Sequence, residues 1–230
     1  MSTYRDQALI IRKLDYGETD RIYTLLTREH GKVGAIARGV RRSGSRLAGS
    51  LELFSRIEVQ LARGRNLDVI TEAVRPPGPR VAAEVERTAY AGLVAELADR
   101  VCEERHPAAE VFELAAGALD DLAGEDDPRR GSAWFCARAL EVLGYTPQLR
   151  LCASCQKPLA PGPAPFVAAA GGLLCADCEH LEMTAVSVQG IKVLRVMVEG
   201  DRALFLRLRL EGDILAEVEG VLESQLEYHL

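Results

Sequence analysis

Cys152-Ala-Ser-Cys155 and Cys175-Ala-Asp-Cys178 are two Cys-x-x-Cys hooks with nineteen residues between them. Each hook is short enough to turn both thiolates onto one ion. The longer stretch forms an arm that brings the hooks together. Two hooks at this separation can close four sulfurs tetrahedrally around one Zn²⁺. Cys152, Cys155, Cys175 and Cys178 are therefore the candidate metal ligands, for one structural Zn²⁺. Four thiolates leave no open position for substrate, so the chemistry expected is folding, not catalysis.

Two other cysteine chemistries fit poorly. A redox dithiol needs one hook at a helix start after a strand. A zinc deaminase needs His-x-Glu ahead of Pro-Cys-x-x-Cys. Here His180-Leu181-Glu182 follows the second hook, and Leu174 precedes Cys175. With both hooks intact, His180 is surplus as a ligand. Cys102 and Cys136 sit in apolar helical patterns and read as buried, inert thiols.

A second set of residues could hold phosphate: Lys32, Arg38, Arg41, Arg42, Arg46, Arg63 and Arg65. The set is rich in arginine, whose planar fork pairs with phosphate through two hydrogen bonds. Gly and Ser interleave it, so backbone N–H groups can also approach. Tyr16, Tyr23 and Phe54 are candidates to stack on bases. The chain carries −6 overall, but unevenly. Residues 1–80 hold fifteen Lys and Arg against nine Asp and Glu, a balance of +6. Residues 81–150 come to −7 and residues 151–230 to −5. A basic third on an acidic body suggests a polyanion-binding module.

Enzyme signatures are missing. There is no Gly-x-x-x-x-Gly-Lys-Ser/Thr loop and no Gly-x-Ser-x-Gly elbow. His30 and His106 stand in turn-like contexts with no evident nucleophile. No run of eighteen apolar residues occurs, and Met1–Asp6 is polar. Those features predict no membrane span, no signal peptide and a cytoplasmic protein.

These residues need elements to position them. Period-two patterns predict strands at Arg5–Leu14, Arg21–Thr27, Lys32–Arg38, Leu51–Ala62 and Leu67–Val74. Gly39–Arg46 reads as a mobile loop that buries nothing. Five short strands in about seventy residues fit a small closed barrel such as an OB-fold, whose loops bind oligonucleotides. The arginines then fall on the connections between strands three, four and five. Pro76-Pro77-Gly78-Pro79 is a linker. Beyond it the period becomes helical, with Val85, Ala89, Leu93, Leu97 and Val101 on one face and Val94 beside them. A second helix carries Val111 to Leu122. A third is capped by Ser132 and stopped by Gly144. Further helices lie around Val188–Val198 and Ile214–Leu222, and Leu204–Leu210 alternates like a strand. The chain is thus α+β and multidomain. An OB-fold barrel (1–78) precedes an α-helical domain (79–149 and 183–230) that carries a four-cysteine zinc-finger arm (150–182).

Several segments together resemble the RecO family of bacterial DNA repair and recombination mediators. They are Tyr16-Gly17-Glu18-Thr19-Asp20, Leu25 to Lys32, Ala37 to Arg42, Leu143-Gly144-Tyr145-Thr146-Pro147 and the Cys152–Cys155 hook. Their order, from barrel to linker to helices to arm, covers almost the whole chain. The resemblance implies binding to single- and double-stranded DNA and annealing of complementary strands. It also implies partnership with RecR and with the C-terminal tail of single-strand binding protein, helping RecA load. It places the protein in the nucleoid-bearing cytoplasm. Further basic residues would be expected after Tyr228-His229-Leu230.

Two other readings come from the residues. One is an interaction hub whose helical domain offers an apolar groove to a peptide, with incidental DNA affinity. The other is a zinc hydrolase or deaminase, which would need three protein ligands and a water on the metal.

Overall fold

In a computed structural model describing residues 2–78, 80–81, 84–124, 127–178, 185–210 and 213–230, the basic third of the chain forms five strands. They are β1 (Thr3–Tyr16), β2 (Asp20–Thr27), β3 (Gly31–Ala37), β4 (Arg56–Ala62) and β5 (Asp68–Val74). β1 is long enough to pair with β4 through its first half and with β2 through its second. A parallel pairing of β3 with β5, Ala35 to Asp68 and Ile36 to Val69, closes the barrel in the order β1-β2-β3-β5-β4. This is the five-stranded closed barrel of an OB-fold. Ala8, Ile10, Tyr23, Leu25, Val33, Ile57, Leu61 and Ile70 fill it.

A bulge in β1 between Ile10 and Arg12 resets which side chains face inward. Ile10 pairs with Leu25 inside the barrel, whereas Lys13 pairs with Tyr23 and Leu14 with Ile22. Arg12, Leu14 and Tyr16 therefore turn outward on the ribbon that β1 and β2 extend past the bulge.

Two expectations change here. Gly39–Arg46 does bury a residue: Val40 is 2% exposed and belongs to the barrel core. The segment is a run of turns, with Arg42 N–H donating to Gly39 O and Ser45 N–H to Arg42 O. Residues 51–55 are not strand. Leu51 N–H donates to Leu47 O and Ser55 N–H to Glu52 O, so the chain coils and Leu51 packs into the barrel core.

Helices α1 (Val85–Val101) and α2 (Ala109–Ala123) pack on one another and on the outside of β1 and β2. Outward-facing Leu9 and Leu26 are fully buried there. The face of α1 differs from the sequence reading. Ala91, Val94, Ala95, Leu97 and Ala98 are buried, while Val85 is 87% and Leu93 41% exposed. Small alanines allow close approach, and the every-four apolar pattern drifts across that face, leaving Leu97 on it. Gly31 marks another close approach. Its φ is +64°, and a Cβ there would lie 1.8 Å from His106 O.

The chain divides into two compact units, Met1–Pro128 and Arg129–Leu230. The second contains all but the first residue of α3 (Pro128–Val142), with β6 (Ala164–Val167), β7 (Gly172–Leu173), β8 (Ala185–Val186), α4 (Val188–Val198), α5 (Arg202–Arg207) and α6 (Ile214–His229). α3 starts at Pro128, a favoured first-turn residue, so Ser132 lies inside the helix and is buried. Gly144, at φ +79°, ends it as expected. Residues 202–207 are helix, not strand, because Asp201 caps them through Leu204 N–H and Phe205 is fully buried against Trp134. Arg130 donates to Leu206 O and Leu208 O, and Glu217 accepts from Ser187 N–H and Oγ, tying α3 to α5 and α4 to α6.

Candidate metal centre and nucleic-acid interface

Backbone hydrogen bonds fold the arm so that its hooks meet. Cys152 N–H donates to Lys157 O and Gln156 N–H to Cys152 O, closing the first hook as a tight turn with Gln156 at φ +61°. Cys178 N–H donates to Cys175 O and closes the second. Ala153 N–H donates to Leu173 O, and Leu173 N–H to Gln148 O, joining the two hooks across β7. Gly172 permits this, since a Cβ there would sit 2.3 Å from Gln148 O.

The four sulfurs of Cys152, Cys155, Cys175 and Cys178 all lie within 4.8 Å of one another. Cys155 Sγ and Cys175 Sγ are 3.7 Å apart. A zinc–sulfur distance of about 2.3 Å gives tetrahedron edges of about 3.8 Å. The site thus has the dimensions and donor set for one metal ion. Cys175 N–H points at Cys152 Sγ, 3.4 Å away. The N–H groups of Cys155 and Cys175 draw the Cys152 thiol down to about 6. Cys178 is pushed up to about 12, first by hydrogen bonding with Cys155 and Cys175. Crowded thiols compete in this way until a cation lets all of them ionise. His180 lies outside the described residues. Cys102 and Cys136 are buried, and burial raises their thiols to about 11 and about 12, as inert core groups.

The basic residues fall into three places. Arg38, Arg41, Arg42 and Arg46 form the first, on the segment after β3, which is fastened to the β1–β2 tip. Arg41 N–H donates to Thr19 O, and Gly39 N–H to the Asp20 carboxylate at 2.7 Å. That bond, the Thr19 hydroxyl and the nearby charges of Arg38 and Arg42 hold the Asp20 carboxyl below its usual range. The Arg41 guanidinium pairs with Asp15 at 3.5 Å and bonds Gly17 O. Arg38, Arg42 and Arg46 are exposed and make no ion pair among the described residues.

Arg63 and Arg65 lie elsewhere, on the β4–β5 hairpin beside the start of β1. Arg63 N–H donates to Ser2 O and its guanidinium lies 5.1 Å from the Tyr4 ring. β1 spans 14 residues, at most roughly 45 Å, between these two clusters. Lys32 joins neither. Its ammonium is held by Asp99, 3.0 Å from the carboxylate and 2.7 Å from the carbonyl.

Of the aromatic candidates, Tyr16 is 56% exposed on the ribbon. Tyr23 is fully buried in the barrel and cannot stack on a base. Phe54 is half-buried at φ +63°. Sequence reasoning missed Lys13, exposed on the ribbon on the face opposite Leu14 and Tyr16, although Arg12-Lys13 was readable as a basic pair in a strand. It also missed buried Asp68, which accepts from Tyr4 Oη at 2.6 Å, Arg105 at 3.0 Å and Gly64 N–H at 3.0 Å. Nothing in the local sequence marks that junction.

Family models describe both parts of the chain. The recombination protein O N-terminal model matches residues 1–75, and the C-terminal model residues 82–230. The chain belongs to the RecO family. It is 38% identical to the DNA repair protein RecO of Bifidobacterium adolescentis, over all of this chain and 96% of that one. It is 36% identical to that of Nocardioides sp., over 99% and 94%. It is 33% identical to that of Dehalococcoides mccartyi, over 99% and 90%. RecO membership implies a role in DNA repair and recombination. No helix among the described residues is long and apolar enough to cross a membrane.

Proposed function

We propose that this RecO chain is a non-enzymatic factor that binds single- and double-stranded DNA and anneals complementary strands. With RecR it helps load RecA onto single strands covered by single-strand binding protein, whose C-terminal tail it also binds. It works in the nucleoid-bearing cytoplasm. One observation carries the DNA reading. Arg38, Arg42 and Arg46 stand exposed on the barrel and make no ion pair among the described residues, in a chain whose net charge is −6. Cations that served only solubility would gain most by pairing with the surplus carboxylates. Arginines that no carboxylate holds in an ion pair remain available for phosphate, and each contact releases condensed counterions. Neutralising two strands on one surface lowers their mutual repulsion, which is what annealing requires. The partner assignments rest on family membership.

Cys152, Cys155, Cys175 and Cys178 would hold one structural Zn²⁺. Bound there, the ion supplies cohesion to a small arm and no open coordination position. The arm's own backbone turns orient the sulfurs.

The hub reading draws on a cleft of about 680 Å³ lined by Leu53, Phe54, Ala116 and Leu119 with Arg56, Arg75 and Arg80 at its rim. Glu52 already pairs with Arg75 and Arg80, which weakens the rim as a seat for an acidic peptide.

A strand-annealing assay tests the proposal. Two labelled complementary oligonucleotides should pair faster with the protein than without it, and the acceleration should fade as salt rises. No acceleration at any salt would contradict annealing.

A further inference from the structure

The four candidate zinc ligands are unequally sheltered. Cys152 is fully buried, Cys175 and Cys178 are half-buried, and Cys155 is exposed. Cys155 ends the first hook and Cys175 begins the second, and their sulfurs face each other 3.7 Å apart. Backbone bonds set that approach. Ala153 N–H donates to Leu173 O across the arm, and Gln156 N–H closes the turn that carries Cys155.

Thiol oxidation needs a thiolate, access and a second sulfur within reach. Metal coordination keeps both sulfurs as thiolates. Cys155 supplies the access, and Cys175 is the second sulfur. A disulfide requires the two to close to about 2.05 Å, and an exposed side chain has room to turn. Cys152 is shielded, and its sulfur faces the Cys175 N–H at 3.4 Å. Cys102 and Cys136 are buried away from solvent.

We propose that Cys155 is a site of oxidation by hydroperoxides, resolved by Cys175, and that the disulfide formed replaces the metal as the staple of the arm. The Cys155 thiolate attacks one oxygen of hydrogen peroxide. The O–O bond breaks, the sulfur becomes a sulfenic acid, and the departing hydroxide takes up a proton. The Cys175 thiolate then attacks the Cys155 sulfur. The S–O bond breaks, and a second hydroxide leaves and takes up a second proton. Two thiolates have lost one electron each, and the peroxide has become two waters. Cys152 and Cys178 are then the remaining thiolates, too few to retain Zn²⁺ in a four-sulfur site. A bond within one hook would also release the ion but would leave the hooks unjoined. The cross-hook bond links residues twenty apart and keeps the arm closed. This rests on the zinc reading above and adds to it a second, metal-free closure of the same arm.

The test treats the zinc-loaded full chain with one molar equivalent of hydrogen peroxide. A chromogenic chelator reads the zinc released. Alkylation in denaturant, reduction and a second, different alkylation mark the oxidised cysteines for mass spectrometry. One zinc per chain should be lost, with the second label on Cys155 and Cys175 alone. The oxidised, zinc-free chain should unfold at a higher temperature than the reduced chain stripped by a chelator. Dithiothreitol with added zinc should restore the starting state. A second label confined to one hook, or found on Cys102 or Cys136, would overturn the proposal. So would zinc retained under about tenfold excess peroxide, or an oxidised chain no more stable than the stripped one. Failure of the zinc reading looks different: the reduced protein carries no zinc at the outset, and the thiol map then judges the disulfide by itself.

Discussion

Lys32 follows the Gly31 turn, and in sequence it looks like any other cation of the basic barrel. Its ammonium instead lies 3.0 Å from Asp99, sixty-seven residues on, and both side chains are about four-fifths buried. Nearby, Lys32 O accepts from Arg105 N–H, so the pair belongs to the junction of β3 with the last turn of α1 and the segment after it. Lys32→Ala should cost about 1–3 kcal/mol, between an exposed and a fully buried pair. It should leave DNA affinity within about twofold, a few tenths of a kcal/mol. Urea unfolding together with binding isotherms checks both. A stable variant with a large loss of affinity would return Lys32 to the interface. Arg41 makes the same point in milder form, since Asp15 and Gly17 already share its guanidinium. Charge type is legible in a sequence. Whether a charge is already spent on a partner across the fold is not.

Elements differ in how much of their logic is local. The cysteine hooks are legible because two-residue spacing fixes their turn wherever the arm goes, and the four sulfurs do converge. Gly144 stops α3 by local rules too. The buried face of α1, the coiled approach to β4 and the helix at 202–207 were not legible. In each, packing against a distant partner outweighed the periodicity of the segment, as where Leu51 enters the barrel core and Phe205 meets Trp134. The arm itself has short strands and a small core, so metal binding should carry much of its stability. Cys175→Ala, or chelation of the wild type, should lower thermal stability and abolish bound zinc, expected at one per chain. Affinity for DNA per folded molecule should stay unchanged. Calorimetry, zinc analysis and DNA titration corrected for active fraction check this. A stable zinc-free variant deficient only in DNA binding would make the arm part of the interface.

Across the whole chain, charge is sorted more sharply than any one residue shows. Residues 1–80 hold +6 and the remainder −12, and it is the barrel that carries the positive share. The OB-type barrel and its basic loops were legible as a class, from strand count and composition. That the arginines divide between the β1–β2 tip and the β4–β5 hairpin was not, because the division depends on strand register. The acidic remainder should disfavour non-specific adsorption of DNA outside the barrel, leaving the loop arginines to set the salt dependence. The most direct measurement is therefore a salt titration of single-stranded DNA affinity for the wild type and for Arg38→Ala/Arg42→Ala/Arg46→Ala. Each single-strand phosphate contact contributes about 0.7 to the slope of log K against log salt, so the triple variant should flatten it by about 2. A wild-type affinity that does not change with salt, or a triple variant with the wild-type slope and affinity, would contradict a barrel-loop interface.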